Sequence, residues 1–371
     1  MLIGFEYAGF HPEREKSKGH LVLMRNKFGR CLSGAHSLLK EKTQMFVQKV
    51  KKINKVRIED FYSNETLGVS CEPKCGSCRC GTCPVGGKQY TIQQERELAM
   101  IEGGLHLEDK QWTATYPWQR DPQELPNNYS AALATLKSTE NRLSKNEPHM
   151  IVYAEQIQDM LDRGVAVMID ETELRSYQGP IFYLSHHEVL KPDSTSTPCR
   201  IVFNSSAKFA NHVLNDYWVK GPDLMNNLLG VLLRFRENTV AIAGDVKKMY
   251  HTVKISEVDQ HTHRFLWRNM EWQRKPDIYK LTTVSFGDKP AGTIASLALR
   301  KTAELSAKDF PVAVATIMDS SYVDDILSSF EDDEEANNVI ADIDLVLSKG
   351  SFFIKEWTKS ASESADAKEY A

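Results

Sequence analysis

A chain of 371 residues with 41% hydrophobic and 26% charged side chains is globular rather than disordered and has room for two or more folded units. No apolar run reaches the length of a bilayer span, and Glu6 breaks the start too early for a secretory signal, so a cytoplasmic setting and no membrane partner are expected. The net charge of −4 hides an asymmetry, since residues 1–60 hold 13 Lys/Arg against 6 Asp/Glu and residues 331–371 hold 4 against 11; the balance neither requires nor excludes a polyanionic partner.

Residues 1–35, with Leu2-Ile3-Gly4 and Gly29-Arg30-Cys31-Leu32-Ser33-Gly34, read as a hairpin remnant. No Asp-Thr-Gly or Asp-Ser-Gly turn occurs, which excludes aspartic proteolysis by this chain alone. Residues 36–70 read as a basic helical connector, and the run from Lys49 to Arg57 is either a backbone-binding patch or the solvated face of a helix. Five of the seven cysteines follow, at Cys71, Cys75, Cys78, Cys80 and Cys83. Their density suits thiolate ligation of zinc and equally a reduced, glycine-rich loop; with no histidine nearby, a Cys-Cys-His-Cys knuckle is excluded.

A short helix is expected at 93–101, then an irregular stretch holding Trp112, Pro117 and Trp118. Helical periodicity marks 128–143 and 150–162, with Gly164 as a stop, and strands are expected at 165–170, 179–184 and 199–203. A helix is expected at 223–237 with Pro222 near its start, strands at 264–267 and 278–284, and a helix at 291–305. The acidic run Glu331 to Glu335 leads a last helix whose core face is Ala336, Val339, Ile340, Ile343 and Leu347, with Gly350 as its stop. Acidic side chains suit a helix N-terminus, so this run reads as capping and solvation rather than as a metal site.

Two segments carry chemistry. In Ser321-Tyr322-Val323-Asp324-Asp325-Ile326-Leu327, adjacent carboxylates sit between two apolar strands. Like charges about 4 Å apart repel by up to ~4 kcal/mol near a protein surface, and a hard divalent cation offsets such repulsion. A solvated Asp-Asp turn is the other reading of the dipeptide. The balance shifts with Asp245, which closes the apolar strand 239–243 and supplies a third carboxylate. Lys247 and Lys248 place positive charge beside it. Carboxylates on two strands make a cage for two Mg²⁺ ions, the arrangement that serves in-line phosphoryl transfer.

With these residues in view, the chain resembles the reverse transcriptase of BEL/Pao-type long-terminal-repeat retrotransposons. The resemblance rests on Arg200-Ile201-Val202-Phe203-Asn204-Ser205-Ser206-Ala207-Lys208, Gly244 to Tyr250, Ser285-Phe286-Gly287, and Tyr322-Val323-Asp324-Asp325, with His263 to Arg268 between them. It covers about residues 150–360. It implies an α+β fold with right-hand polymerase fingers at 149–215 and a palm at 216–360, the palm an antiparallel sheet backed by helices. A protease tail at 1–35, a cysteine-containing connector at 36–148 and a frayed end at 361–371 complete the expected organisation.

The resemblance also implies roles. Asp245, Asp324 and Asp325 would hold two Mg²⁺ ions for RNA-directed DNA synthesis from a primed RNA or DNA template and deoxynucleoside triphosphates. Tyr250 would form the floor under the incoming sugar, where a ring clashes with a 2′-hydroxyl, or would simply pack in the core. Arg200 would grip the triphosphate, or lie as a surface arginine on an edge strand. Phe286-Gly287 would flank the sugar, with Tyr322 and Val323 neighbouring the catalytic pair. Lys191 would touch phosphate and Lys355 would protonate pyrophosphate, unless both are solvated lysines. Asn204 stands where an aspartate is usual, and Asp288-Lys289-Pro290-Ala291-Gly292 replaces a serine- and proline-based turn. By the same resemblance the chain is expected to be part of a polyprotein, possessing neither thumb nor ribonuclease H and residing in the cytoplasm or in virus-like particles. The alternative is an inactive relic that at most binds nucleic acid.

Overall fold

Strict alternation along Val240–Val246 builds the middle of the larger folded unit: Val240, Ile242, Gly244 and Val246 are buried, while Ala241, Ala243 and Asp245 face the other way. In the computed structural model, which describes residues 13–18, 21–26, 29–33, 90–190 and 199–360, the chain divides into units 1–71 and 72–371. Lys191, the connector 36–70, the cysteines at 71–83 and the tail 361–371 lie outside the described residues. The first unit contains a three-stranded antiparallel meander, Glu13–Lys18, Leu21–Asn26 and Gly29–Ser33.

The second unit is α+β, as expected. Its central strand pairs antiparallel with Asp325–Phe330 on one side and Ile354–Lys359 on the other, and Ser321–Tyr322 extends the sheet beyond Asp325–Phe330. Helices Leu228–Arg234, Pro311–Ser320 and Asp333–Ser348 pack against this sheet, and Ala291–Glu304 packs in turn on Pro311–Ser320 and Asp333–Ser348. The last of them starts as its acidic run suggested: the Asp332 side chain accepts from the Glu335 amide at 2.8 Å. Ala336, Val339, Ile343, Val346 and Leu347 form its buried face, with Ile340 only partly buried.

A second region holds the helices Tyr129–Leu143 and Glu147–Asp162, the hairpin Ser185–Leu190 with Cys199–Asn204, and a sheet of Ala166–Met168, Asp277–Leu281 and Arg264–Trp267. Arg268 at the end of this sheet forks onto Glu140, with Nε 2.8 Å from Oε1, and both side chains are almost fully buried.

Several expected elements differ. The stretch after helix Ile92–Gly103 is a hairpin, Leu105–Glu108 with Gln111–Ala114, closed by Asp109 and Lys110 at φ 47° and 64°. Such a left-handed pair is the turn a two-residue hairpin demands, but here it carries no glycine or asparagine to announce it. Residues 179–184 form no strand; Phe182 and Leu184 instead exchange backbone hydrogen bonds with 261–264, and the strand begins at Ser185. The helix expected at 223–237 is confined to Leu228–Arg234. The preceding residues are held open by tertiary hydrogen bonds, from Asn226 Nδ2 to the Met318 and Ser321 carbonyls and from Arg300 to the Leu224 carbonyl. Gly350 is needed for close approach, because a Cβ there would lie 2.2 Å from Thr302 Oγ1 and 2.9 Å from Trp112 Nε1; the left-handed residue is Ser351, at φ 58°.

Candidate active site

Cross-strand registry brings two of the three carboxylates together. Asp245 and Asp325 are direct partners across the antiparallel ladder, so both side chains emerge on the same face. Asp324 occupies the two-residue turn between Tyr322 and Asp325, where the Val246 amide donates to its carbonyl at 2.7 Å. A carboxylate oxygen from each of Asp245, Asp324 and Asp325 lies within 4.8 Å of the others. The turn needs a left-handed residue at Val323, φ 57°. A β-branched side chain is costly there, by about 1–3 kcal/mol, and such strain is characteristic of functional turns.

The other edge of the central strand is irregular for a reason. Gly244 pairs with Trp357 and Val246 with Ile354, so Lys355 and Glu356 bulge opposite Asp245. Any Cβ at Gly244 would sit 2.6 Å from the Trp357 ring, which makes glycine the residue that lets this strand approach. Trp357 in turn donates from Nε1 to Asp344 at 3.1 Å, fixing the bulge against helix Asp333–Ser348.

The electrostatics are those of a cation site. Burial, then the charge of Asp324, holds the Asp245 carboxyl above the ordinary carboxylate range, and Lys355 and Arg200 only partly offset this. Asp325 is raised by burial, then by Asp324 and Asp245. The donor set is all oxygen, half-exposed and mutually repelling, and suits a hard cation such as Mg²⁺. A carboxyl raised in the fold stabilises it below the ordinary value of 3.8, and that contribution is lost as pH rises through the raised value. We therefore expect ion-free Asp325→Asn protein to gain melting temperature over the parent as pH climbs from about 4 to 7. Mg²⁺ should close that gap at neutral pH by stabilising the parent alone. Scanning calorimetry of both proteins, with and without the ion, measures this; a less stable variant at neutral pH would contradict the repulsion.

The other sequence-predicted residues gather around the same face. Arg200 lies on Cys199–Asn204, opposite Val189, and its charge reaches Asp245. Tyr250 follows the central strand in the short helix Met249–Thr252, and its ring centroid lies 4.3 Å from that of Phe286. Burial first, then Asp324, raises the Tyr250 phenol above its usual range. Gly287 adopts φ 101°, and an added Cβ would be 3.0 Å from the Phe203 carbonyl oxygen, so the turn requires glycine. One residue escaped the sequence reading. Asn215 donates from Nδ2 to the Gly287 carbonyl at 3.0 Å and accepts from the Lys289 amide at 2.8 Å, clamping the turn from both sides. It lies in no recognisable motif, and only the tertiary fold brings it there.

Residues 196–364 match the family model described as reverse transcriptase (RNA-dependent DNA polymerase). No curated protein matches the chain. Among solved structures, that of the foamy viral protease-reverse transcriptase dRH in complex with ds DNA is similar at 17% identity, over 54% of this chain and 30% of that one, with a TM-score of 0.40. The chain thus spans under a third of that protein's length.

Proposed function

We infer, from the reverse-transcriptase domain matched over residues 196–364, that the chain is an RNA-directed DNA polymerase module of a BEL/Pao-type retrotransposon polyprotein. The observation that carries this reading is the convergence, within that segment, of Asp245, Asp324 and Asp325, one oxygen from each lying within 4.8 Å of the others, from two paired strands and the turn that leads into one of them. Fingers at 149–215, a palm at 216–360 and a protease tail at 1–35 belong to the same proposal.

Asp245, Asp324 and Asp325 would hold two Mg²⁺ ions, which when bound neutralise charge on the attacking and leaving oxygens. The primer 3′-oxygen bonds to the α-phosphorus as the bridging P–O bond to the β-phosphate breaks. The hydroxyl proton passes to solvent, and pyrophosphate departs with a proton from the Lys355 ammonium. Arg200 and Lys191 supply donors to the triphosphate, the planar fork of Arg200 matching two oxygens at once. Tyr250 and Phe286 pack together where the sugar would rest, so a 2′-hydroxyl meets a ring.

The test is extension of a DNA primer on an RNA template with Mg²⁺. The parent is expected to extend with deoxynucleotides, and Tyr250→Val is expected to incorporate ribonucleotides about tenfold more readily, the scale of one lost steric contact. Unchanged sugar selectivity would refute the role of Tyr250. No extension by the parent would refute the polymerase reading of this chain and leave the inactive relic.

A further inference from the structure

The Phe286-Gly287 turn runs directly into Asp288, a carboxylate only 6% exposed. An unpaired charge at that depth is costly, and three side chains from distant parts of the chain satisfy it. Tyr116 donates its hydroxyl to Oδ2 at 2.6 Å, His263 Nε2 lies 3.1 Å from the same oxygen, and the Ser205 hydroxyl donates to Oδ1.

His263 is fully buried, and its other nitrogen, Nδ1, lies 2.6 Å from the Asp259 carbonyl oxygen. With an oxygen facing each ring nitrogen, the surroundings favour the doubly protonated form of the ring. Burial, the largest single influence, lowers the His263 pKa, but the charge and hydrogen bond of Asp288 together with the carbonyl and charge of Asp259 outweigh it and raise the value. The Trp218 ring stacks on the His263 ring at 5.4 Å and 8°. Tyr116 is held in place independently, since its amide donates to Asp259 Oδ2 at 2.9 Å and its ring packs on Trp218 at 4.7 Å.

The three donors mark three pieces of one pocket. Ser205 immediately follows the strand that carries Arg200. His263 leads into the strand Arg264–Trp267. Tyr116 lies two residues past the hairpin that closes at Ala114, well before the segment matched to the reverse-transcriptase family begins at residue 196. We propose that Asp288, gripped by Tyr116, Ser205 and His263, is a positioning residue that sets the Phe286-Gly287 turn against the Arg200 strand. The 105–118 segment is thereby a working part of the nucleotide pocket. The proposal rests on the polymerase reading for its functional half, while its structural half stands without it.

Tyr116→Phe tests this, because it removes one hydroxyl and keeps the buried ring; Asp288→Asn is the second variant. In the full chain, amide hydrogen exchange is followed at 285–289 and in the Val240–Val246 strand, and KM for deoxynucleotide and kcat are measured on a primed template. Both variants should accelerate exchange at 285–289 by about tenfold or more, the scale of losing a hydrogen bond to a charged group, and leave Val240–Val246 unchanged. KM should rise about fivefold or more with kcat within about twofold, the signature of lost ground-state positioning. Unchanged exchange at 285–289 overturns the proposal, as does equal acceleration throughout the core. A lower kcat at unaltered KM overturns it too. A parent that extends no primer sinks the polymerase reading, and the exchange pattern still decides whether Tyr116 and Asp288 set the turn.

Discussion

Asp324→Asn is expected to lower Mg²⁺-dependent primer extension at least about 10³-fold while primer–template affinity stays within about twofold. The three carboxylates converge on one another: Asp245 and Asp325 are cross-strand partners, and one oxygen from each of the three falls within 4.8 Å of the others. Neutralising one removes a proposed cation ligand and relieves repulsion without removing a positive charge that could meet phosphate. Single-turnover extension and equilibrium binding must be measured at one salt concentration, because affinity for nucleic acid falls steeply with salt. An equal loss of binding would mean that Asp324 shapes the groove instead of serving the reaction. Asp325→Asn should behave alike, because its oxygen belongs to the same cage.

Glu140→Gln is expected to cost about 3–5 kcal/mol of stability, far from the carboxylate cluster. Arg268 lies 6% exposed and places Nε and Nη2 on the two oxygens of Glu140, at 2.8 and 2.5 Å. Its Nη1 donates to the Trp272 and Arg274 carbonyls at 2.9 and 2.8 Å. The glutamine keeps the volume but leaves the guanidinium buried without a counter-charge. The pair ties helix Tyr129–Leu143 to the end of strand Arg264–Trp267. Urea unfolding checks the prediction through the midpoint and the extrapolated free energy. A change under about 1 kcal/mol would show that the site opens to water when the pair is broken. Divalent-ion binding at Asp245, Asp324 and Asp325 should be unaffected, since neither Glu140 nor Arg268 belongs to that cage.

The helices that the sequence announced are those whose signals are local. Tyr129–Leu143 and Ala291–Glu304 carry an uninterrupted apolar period, and Asp333–Ser348 has both that period and an acidic first turn under an Asp332 cap. The carboxylate site was legible for a similar reason, because strand, turn and strand around Asp324-Asp325 lie within ten residues and Asp245 closes an apolar run. The helix Pro311–Ser320 went unforeseen because nearly every position in it is apolar or small, leaving no polar face to set a period. The hairpin at 105–114 went unforeseen because Lys110 takes a left-handed angle after Asp109, where a glycine would announce the turn.

The principal helices and the carboxylate motif were legible because each is encoded by residues close together in the chain, whereas the fold class came from the resemblance carried by four separated stretches. Tertiary structure alone decided the shortened helix at Leu228–Arg234, the need for glycine at 244 and 350, and the grip of Asn215 on Gly287. It also decided the burial of Asp288 among Tyr116, Ser205 and His263. Those features depend on which distant groups meet, and a hydrogen bond spanning 172 residues, as from Tyr116 to Asp288, leaves no periodic trace in the chain that makes it.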